Sequence, residues 1–510
     1  LVLPGQKIPV WMRNIVSSLD SADEVSLSVV VLTNEQWSDG GSSRLFRVWK
    51  KLDYRAFQRK IEAHQYTEDL VDIEPERVAT KSTFDDLGGK LLEDTTDIVI
   101  WMASRRPPID LVSTPRFGCW TLAHAHNPAA GFQELVDGAP ATACDLIRYG
   151  LVSDMDSSVA TTFAATDRLS LSRGIIGVRA KNQALLMSTI LRVHLHHKAT
   201  IASLKTGSPV RVGQKSPRLL QTLWGLAKLY GRYCKDILKR PIYFDQWQIA
   251  YRIGGDRLDQ KGMQRLAPPH KGFWADPFVT EYDGRRFIFF EEFIRETSRG
   301  HIAAIEVGPN GELGDAIDVL KSEFHLSYPF MFQHDGSLYM VPECSMSGRV
   351  EVFRCTQIPQ HWERHAVLLD GVCAFDPTLI EHDGLWWMFV TIQHGGQSTD
   401  DALHLFYAPG PFDEWTAHPL NPVRLDVRSA RPAGSLFREQ GRLFRPAQDC
   451  SARYGWAISI QEVLRMTTDD YEEVEVCRIL PDWAAGAHAT HTINHGNGVT
   501  VYDCEVKRRR

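Results

Sequence analysis

Five stretches of this chain repeat one pattern, and that repetition constrains its fold more than any other feature. Aligned without gaps from Asp276, Tyr328, Asp376, Ala433 and His488, they read DPFVTEYDGRRFIFFEE, YPFMFQHDGSLYMVPEC, DPTLIEHDGLWWMFVTI, AGSLFREQGRLFRPAQD and HATHTINHGNGVTVYDC. Glycine holds the ninth position of every copy, at Gly284, Gly336, Gly384, Gly441 and Gly496, and Asp283, Asp335 and Asp383 precede it in three of them. The tight turn of a β-hairpin needs positive φ, which glycine adopts without steric cost. Apolar runs beside the turns, such as Phe287–Phe290 and Trp386–Val390, read as strands buried on both faces. The copies start roughly 50 residues apart, which leaves room for two further strands in each. A four-stranded unit repeated at that period is a propeller blade, and a ring of blades protects its sheet edges. QWQIAYRI, Gln246–Ile253, precedes the first copy and is expected to close the last blade.

Antiparallel pairing sets the first position of each copy beside the sixteenth. Asp276 with Glu291, Tyr328 with Glu343, Asp376 with Thr391, Ala433 with Gln448, and His488 with Asp503 are therefore expected on one face of the ring, with Glu292, Arg431, Asp449 and His491 nearby. Polar groups that end apolar strands in several blades are costly to bury unless they meet at a cleft. Like charges and burial push the pKa values of clustered carboxylates apart, leaving one as acid and another as base, the division that glycosyl chemistry uses. His488 and His491 open the fifth copy, where other copies carry Asp276 and Asp376. With no third nitrogen or sulfur ligand at a diagnostic spacing, no metal centre is expected.

Asp276-Pro277, Asp376-Pro377 and Glu343-Cys344 resemble motifs of the five-bladed propeller glycoside hydrolases, the arabinanase, xylosidase and invertase group. That resemblance implies Asp276 as base or nucleophile, Glu343 as general acid and Asp376 as the carboxylate that tunes them. The order differs, because Glu343 precedes Asp376 whereas those families show Asp, Asp, Glu. A closer overall resemblance is to the propeller region at the N-terminus of plant glucosamine inositolphosphorylceramide transferase. It is carried by FWADPF (Phe273–Phe278), YPFMF (Tyr328–Phe332), FDPTLI (Phe375–Ile380), AGSLFREQGRLFRPAQDCSARYG (Ala433–Gly455) and HATHTIN (His488–Asn494). It implies a carbohydrate-active transferase of glycan or glycoconjugate biosynthesis, holding a sugar, nucleotide sugar or glycoconjugate on the axial face of the ring. Glycoside hydrolysis and amino-sugar N-formylation are the alternatives, and the sequence names no cofactor.

In the N-terminal half, VSLSVVVL (Val25–Leu32) and DIVIWMA (Asp97–Ala103) read as buried strands, Pro108–Val112 as a short helix and Phe117–His124 as a further strand, an alternation that favours an α/β domain. DIVIWMASRRPPIDLVSTPRFGCWTLAHAHNP resembles the core of the folate-dependent formyltransferases. The resemblance puts His124 on the catalytic His and Asp156 on a later Asp, with His126 on the face of His124. Leu122 stands where that family has Asn, and a Leu side chain donates no hydrogen bond to an oxyanion. The expected layout is a formyltransferase-like α/β domain over 1–205, a linker and bridging helix over 206–245, and an all-β five-bladed propeller over 246–510. The helix, Ser216–Leu238, is expected to pack through Leu223, Trp224, Ala227 and Tyr230.

With 43% hydrophobic and 24% charged residues the chain reads as soluble and globular, and no apolar run is long enough for a bilayer-spanning helix. A net charge of −6 argues against a nucleic-acid surface, and the basic end Lys507–Arg510 is too short to reverse that. The basic stretch Lys205–Arg218 reads as a loop and leaves room for peripheral membrane contact. Leu1–Arg13 shows no signal-peptide pattern. Nine cysteines without a CxxC pair point to reduced thiols and a cytoplasmic setting.

Overall fold

The computed structural model describes residues 1–23, 25–32, 43–61, 70–73, 78–82, 96–123, 129–195, 217–239, 242–268, 272–393 and 398–509. They form two compact units, one over Leu1–Cys234 and one over Lys235–His394 with Ser398–Arg510.

The second unit is a ring of five antiparallel sheets. The first blade runs Phe273–Tyr282, Arg285–Ile294, Arg299–Val307 and Ile317–Leu320. The second runs Ser327–His334, Ser337–Glu343, Arg349–Gln357 and His361–Asp370, and the third Ala374–His382, Leu385–Ile392, Leu403–Ala408 and Thr416–Ala417. The fourth holds Phe437–Glu439, Arg442–Asp449, Ala457–Met466 and Tyr471–Ile479. The fifth joins both ends of the unit: Ala487–Ala489 and Ile493–Gly496 pair with Val499–Arg509, which pairs with Tyr243–Ile253, followed by Gln264–Leu266. Tyr243–Ile253 thus closes the last blade, pairing continuously from Tyr243 opposite Arg509 to Ile253 opposite Val499.

Shared apolar clusters complete the ring. Phe289, Tyr339 and Met388 lie in one cluster that unites the first three blades. Phe389 and Leu443 join the third to the fourth, Ile460 and Tyr502 the fourth to the fifth, and Val501 and Ile288 the fifth to the first.

The hairpin turns show why the repeat is visible. Asp283-Gly284, Asp335-Gly336, Asp383-Gly384 and Gln440-Gly441 all have positive φ at both residues, the requirement of a type I′ turn. The fifth copy departs from the ungapped alignment. Its turn is Asn497-Gly498, at φ 51° and 75°, while Gly496 ends the preceding strand. Ala489 pairs with Glu505 as Ala275 pairs with Glu291, so Thr490, not His488, occupies the place of Asp276.

The first strands of three blades are bulged at an X-Pro step: the register shifts across Asp276-Pro277, Tyr328-Pro329 and Asp376-Pro377. Proline has no N–H to lose from the ladder, and a bulge re-aims the side chain beside it. Asp276, Tyr328 and Asp376 have φ of 52°, 44° and 52°. Such left-handed conformations in residues other than glycine cost energy and concentrate at functional sites.

The first unit is mixed α/β. Val29–Leu32 lies between Val2–Leu3 and Val78–Ser82 in a parallel sheet, and Val99–Ile100, Cys119–Leu122, Ala141–Arg148 and Ser157–Ala165 form a second, largely antiparallel one. The helix Val10–Asp20 buries Trp11, Met12, Ile15, Val16 and Leu19 at helical spacing. The expected strands around Val25 and Asp97 and the short helix near Pro108 appear as Val29–Leu32, Val99–Ile100 and Ile109–Ser113. The formyltransferase-like topology itself is not established by these elements.

The helix Leu219–Lys239 corrects one expectation. Leu223, Trp224, Ala227 and Tyr230 are exposed; the buried face is Thr222, Gly225 and Leu229. A Cβ on Gly225 would fall 2.7 Å from Val136 and 2.9 Å from Phe132, so glycine permits the close approach.

Candidate functional site

Between the second, third and fourth blades a buried arginine gathers carboxylates. Arg431 lies just ahead of the fourth blade; its Nε donates to Asp376 Oδ2 at 2.6 Å, Nη1 to Asp400 Oδ1 at 3.1 Å and Nη2 to Glu343 Oε2 at 3.2 Å. Gln448 Nε2 donates to Asp376 Oδ2 at 2.8 Å. Phe375 and Tyr454 lie with ring centroids 5.1 Å from the guanidinium carbon. One cation does not offset this set. Burial and the charge of Asp376 hold the Glu343 carboxyl well above its usual range despite Arg431.

Across the first and fifth blades stands a second cluster. His491 Nδ1 meets Asp503 Oδ2 at 2.5 Å, and its Nε2 lies 3.6 Å from Asp276 Oδ1. Asp503 Oδ1 accepts the backbone N–H groups of His491 and Thr492, and Oδ2 accepts that of Asp276 at 3.2 Å. Thr492 Oγ1 donates to Asp276 Oδ1 at 2.7 Å. The His491 ring stacks on Trp247 at 4.0 Å, and Tyr454 abuts it edge-on at 5.4 Å. Burial opposes protonation of His491, but Asp503 and Asp276 outweigh it and lift its pKa to about 9. Burial raises Asp276 to about 6, with His491 opposing the rise.

The two clusters are one electrostatic site. The charges of Asp276 and Asp376 raise the Glu343 pKa, and Asp276, Glu343, Asp376 and Asp503 together with burial hold Glu291 well above its usual range. Glu291 Oε1 is buried without a hydrogen bond, 3.4 Å from His325 Nε2. Tyr328 ties the blades together: its hydroxyl meets Thr378 Oγ1 at 2.8 Å and accepts the Gly434 N–H at 2.7 Å. Asp276, Glu291, Glu343, Asp376, Asp400 and Asp503 thus outnumber the cations Arg431 and His491. Burial and mutual repulsion push Glu343 and Glu291 towards their protonated forms, while Asp276 is raised to about 6, so the carboxyls of the site are driven to unequal roles.

Other residues named from the sequence lie elsewhere. His488 contacts Glu505 Oε2 at 3.1 Å and Asp245 Oδ1 at 3.3 Å instead of the central carboxylates, as the two-residue slip in the fifth copy requires. Glu292 follows Glu291 on a strand and faces the opposite side, accepting from Trp274 Nε1 at 3.0 Å. Asp449 is held by Arg478 at 2.6 Å. In the first unit, Asp156 accepts a two-pronged pair of bonds from Arg106 at 2.8 and 3.0 Å and the Gly150 N–H at 2.9 Å, so both its oxygens serve structure. His124 and His126 lie outside the described residues. Sequence reasoning missed Asp400, Tyr454, Thr492 and Trp247 as members of the site.

Three groups among the described residues bring ligand atoms within 4.8 Å: Asp276, His491 and Asp503; Asp245, His488 and Glu505; and Glu292, His301 and Asp318. Hydrogen bonds already satisfy Asp503 in the first, and Arg453 and Lys507 flank the second.

Residues 263–505 match the family model described as "Glucosamine inositolphosphorylceramide transferase 1, N-terminal". Among curated proteins, Glucosamine inositolphosphorylceramide transferase 1 of Oryza sativa subsp. japonica is 35% identical over 271 residues, covering 50% of this chain and 34% of the relative. The Arabidopsis thaliana protein of that name is 30% identical over 240 residues, covering 46% and 30%. The chain therefore spans about a third of the length of these relatives. Solved structures similar to the chain include a GH43 beta-xylosidase/alpha-arabinofuranosidase from a compost microbial metagenome, 15% identical with TM-score 0.35, covering 47% of this chain and 91% of that one. A family 117 glycoside hydrolase from Zobellia galactanivorans is 14% identical with TM-score 0.34, covering 51% and 90%.

Proposed function

We propose that this protein is a carbohydrate-active transferase of glycoconjugate biosynthesis that binds a sugar at the centre of its propeller. The observation that carries this reading is that the segment matched by the transferase family model, 263–505, contains the whole ring of central carboxylates together with Arg431 and His491. In this reading Asp276 takes the proton of the attacking hydroxyl, Glu343 acts as proton donor, and Arg431 with Gln448 fixes Asp376 beside the sugar. His491 holds Asp276 through its positive charge. Incubation with nucleotide sugars and glycolipid or glycan acceptors should yield a new glycoside. Asp276→Ala should lower turnover by roughly 100-fold or more. Unchanged turnover in that variant would remove the chemistry from the ring.

One observation favours hydrolysis as a second reading: a Glu343 carboxyl pushed well above its usual range in the same site as Asp276, raised to about 6, is also the division of roles in glycoside cleavage. Release of the chromophore from aryl glycosides, lost in Glu343→Gln, would favour it over transfer. N-formylation lacks comparable support, since Asp156 is engaged by Arg106 and Leu122 is buried among apolar residues. The cytoplasmic setting, read from nine cysteines without a CxxC pair, belongs to the proposal too.

A further inference from the structure

Beyond Glu291 the strand Arg285–Ile294 continues to Phe293, which an extended chain sets on the same face as the carboxyl. Phe273 pairs with Phe293 across the hairpin, just past the pairing of Ala275 with Glu291. Their rings stack with centroids 4.6 Å apart and planes 3° from parallel. Both are half-buried, so the pair offers ring surface to solvent. Phe273 also packs against Trp247 and Ala489, and Trp247 stacks on His491 at 4.0 Å. The aromatic pair therefore borders the propeller centre.

His325, just ahead of the second blade, completes the group with its ring 6.1 Å from that of Phe293. The Gly300 N–H donates to His325 Nδ1 at 2.8 Å, and burial lowers the imidazole pKa from its ordinary 6.5. The neutral ring, with Nδ1 engaged as an acceptor, carries its hydrogen on Nε2. That nitrogen lies 3.4 Å from Glu291 Oε1; the Glu291 side chain is 7% exposed and that of His325 33%. Gly300 permits this approach, since a Cβ there would fall 2.6 Å from Glu291 Oε1 and 2.7 Å from His325 Cε1. Glu291 Oε1 nevertheless has no hydrogen bond among the described residues. A buried oxygen left so is accounted for by a ligand that supplies the bond. Ring faces beside an imidazole N–H and a carboxyl oxygen match a sugar: its C–H groups lie on the rings and neighbouring hydroxyls meet the two polar atoms. A wholly apolar ligand would leave both polar atoms unmet.

We propose that Phe273, Phe293, His325 and Glu291 form a second subsite, which holds the sugar unit next to the one at the propeller centre. The proposal rests on the reading of that centre as a sugar site. It is tested by saturation-transfer difference NMR of the full chain with glucose, galactose, mannose and glucosamine, and with the homodisaccharide of each. The parent should hold at least one disaccharide about tenfold more tightly than its monosaccharide. Phe293→Ala and His325→Ala should each remove that difference and leave monosaccharide binding as in the parent. Phe293→Trp should keep the difference, and Asp276→Ala should weaken both sugars. Circular dichroism and thermal midpoints check folding, and if Phe293→Ala fails to fold, His325→Ala decides alone. No preference for a disaccharide in the parent, an undiminished preference in both alanine variants, or a parallel loss of both sugars in them overturns the subsite and leaves the central reading standing. A preference lost in Phe293→Ala but kept in His325→Ala assigns the rings to an apolar group and overturns it too. A parent that binds none of these sugars also overturns the subsite, while the central reading then stands or falls on the turnover of Asp276→Ala.

Discussion

Arg445 and Arg431 are both buried, both belong to the region of the fourth blade, and both are surrounded by carboxylates and tyrosine, yet they do opposite things. Arg445 meets Glu473 through two bonds, at 2.9 and 2.8 Å, and donates to the Ser429 carbonyl. Tyr471 donates to the same Glu473 at 2.5 Å. The carboxylate there is fully met by cations, with Arg424 Nε a further 3.7 Å from Glu473 Oε1, and Arg445 overcomes burial to hold the Glu473 carboxyl below its usual range. Arg431 is shared among Asp376, Glu343 and Asp400, and burial with the charge of Asp376 pushes Glu343 well above the usual carboxylate range. A matched buried pair fixes structure; an unmatched cluster is poised to exchange a proton, which is what a reacting site needs.

The largest effect that would sharpen this contrast is on stability. Arg445→Met should cost about 3–5 kcal/mol, because it strands Glu473 in the interior. Arg431→Met should cost less than about 2 kcal/mol at pH 5, since its partner Glu343 is already pushed towards its protonated form, while lowering sugar binding. Denaturant titration of both variants beside a binding assay checks this, and equal costs at pH 5 would break the comparison.

A smaller effect should differ in sign. Glu473→Gln removes an ionised partner of Arg445 and should destabilise by about 1–3 kcal/mol. Glu343→Gln replaces a carboxyl that burial and Asp376 push towards its neutral form, and should change stability at neutral pH by less than about 1 kcal/mol, toward gain. Thermal midpoints of the two variants decide it.

The smallest concerns pH. His491 is raised from its ordinary 6.5 to about 9, so its stabilisation is complete below pH 6.5 and is lost as pH climbs through 9. Glu473 is depressed, so its stabilisation is present above its ordinary 4.5 and is lost as pH falls through its lower folded value. The two sectors should therefore weaken at opposite ends of the scale. His491→Gln should flatten the decline between pH 6.5 and 9 and leave the acid limb unchanged. A decline of the same depth in the variant would show that His491 does not cause it.

The propeller could be read from the sequence because each blade announces itself by a turn that only glycine tolerates well. The fifth copy misled for a physical reason. HGNG offers two glycines, and a slip of two residues preserves the alternation of strand faces, so hydrophobic pattern cannot detect it. His491 nonetheless reaches Asp276 while His488 is carried away to Glu505. Asp400 and Tyr454 were hidden because they sit between blade strands, where the repeat has no counterpart. Trp247 lies on the closing strand, whose pairing depends on residues far away in sequence. The helix Leu219–Lys239 has apolar residues on two faces, and spacing alone does not say which one is covered.

Ring closure has a consequence for how the chain is made. Of the blade strands, Val499–Arg509 leaves the ribosome last, and until it does Tyr243–Ile253 has no neighbour on that side. An open edge of that length invites pairing with other chains, so the nascent protein passes through a stage when it is most in need of a chaperone. The same strand brings Asp503 to Asp276 and His491. A translation product that stops before it has neither a sealed ring nor the concentrated anionic centre, so maturation of the site coincides with completion of the propeller.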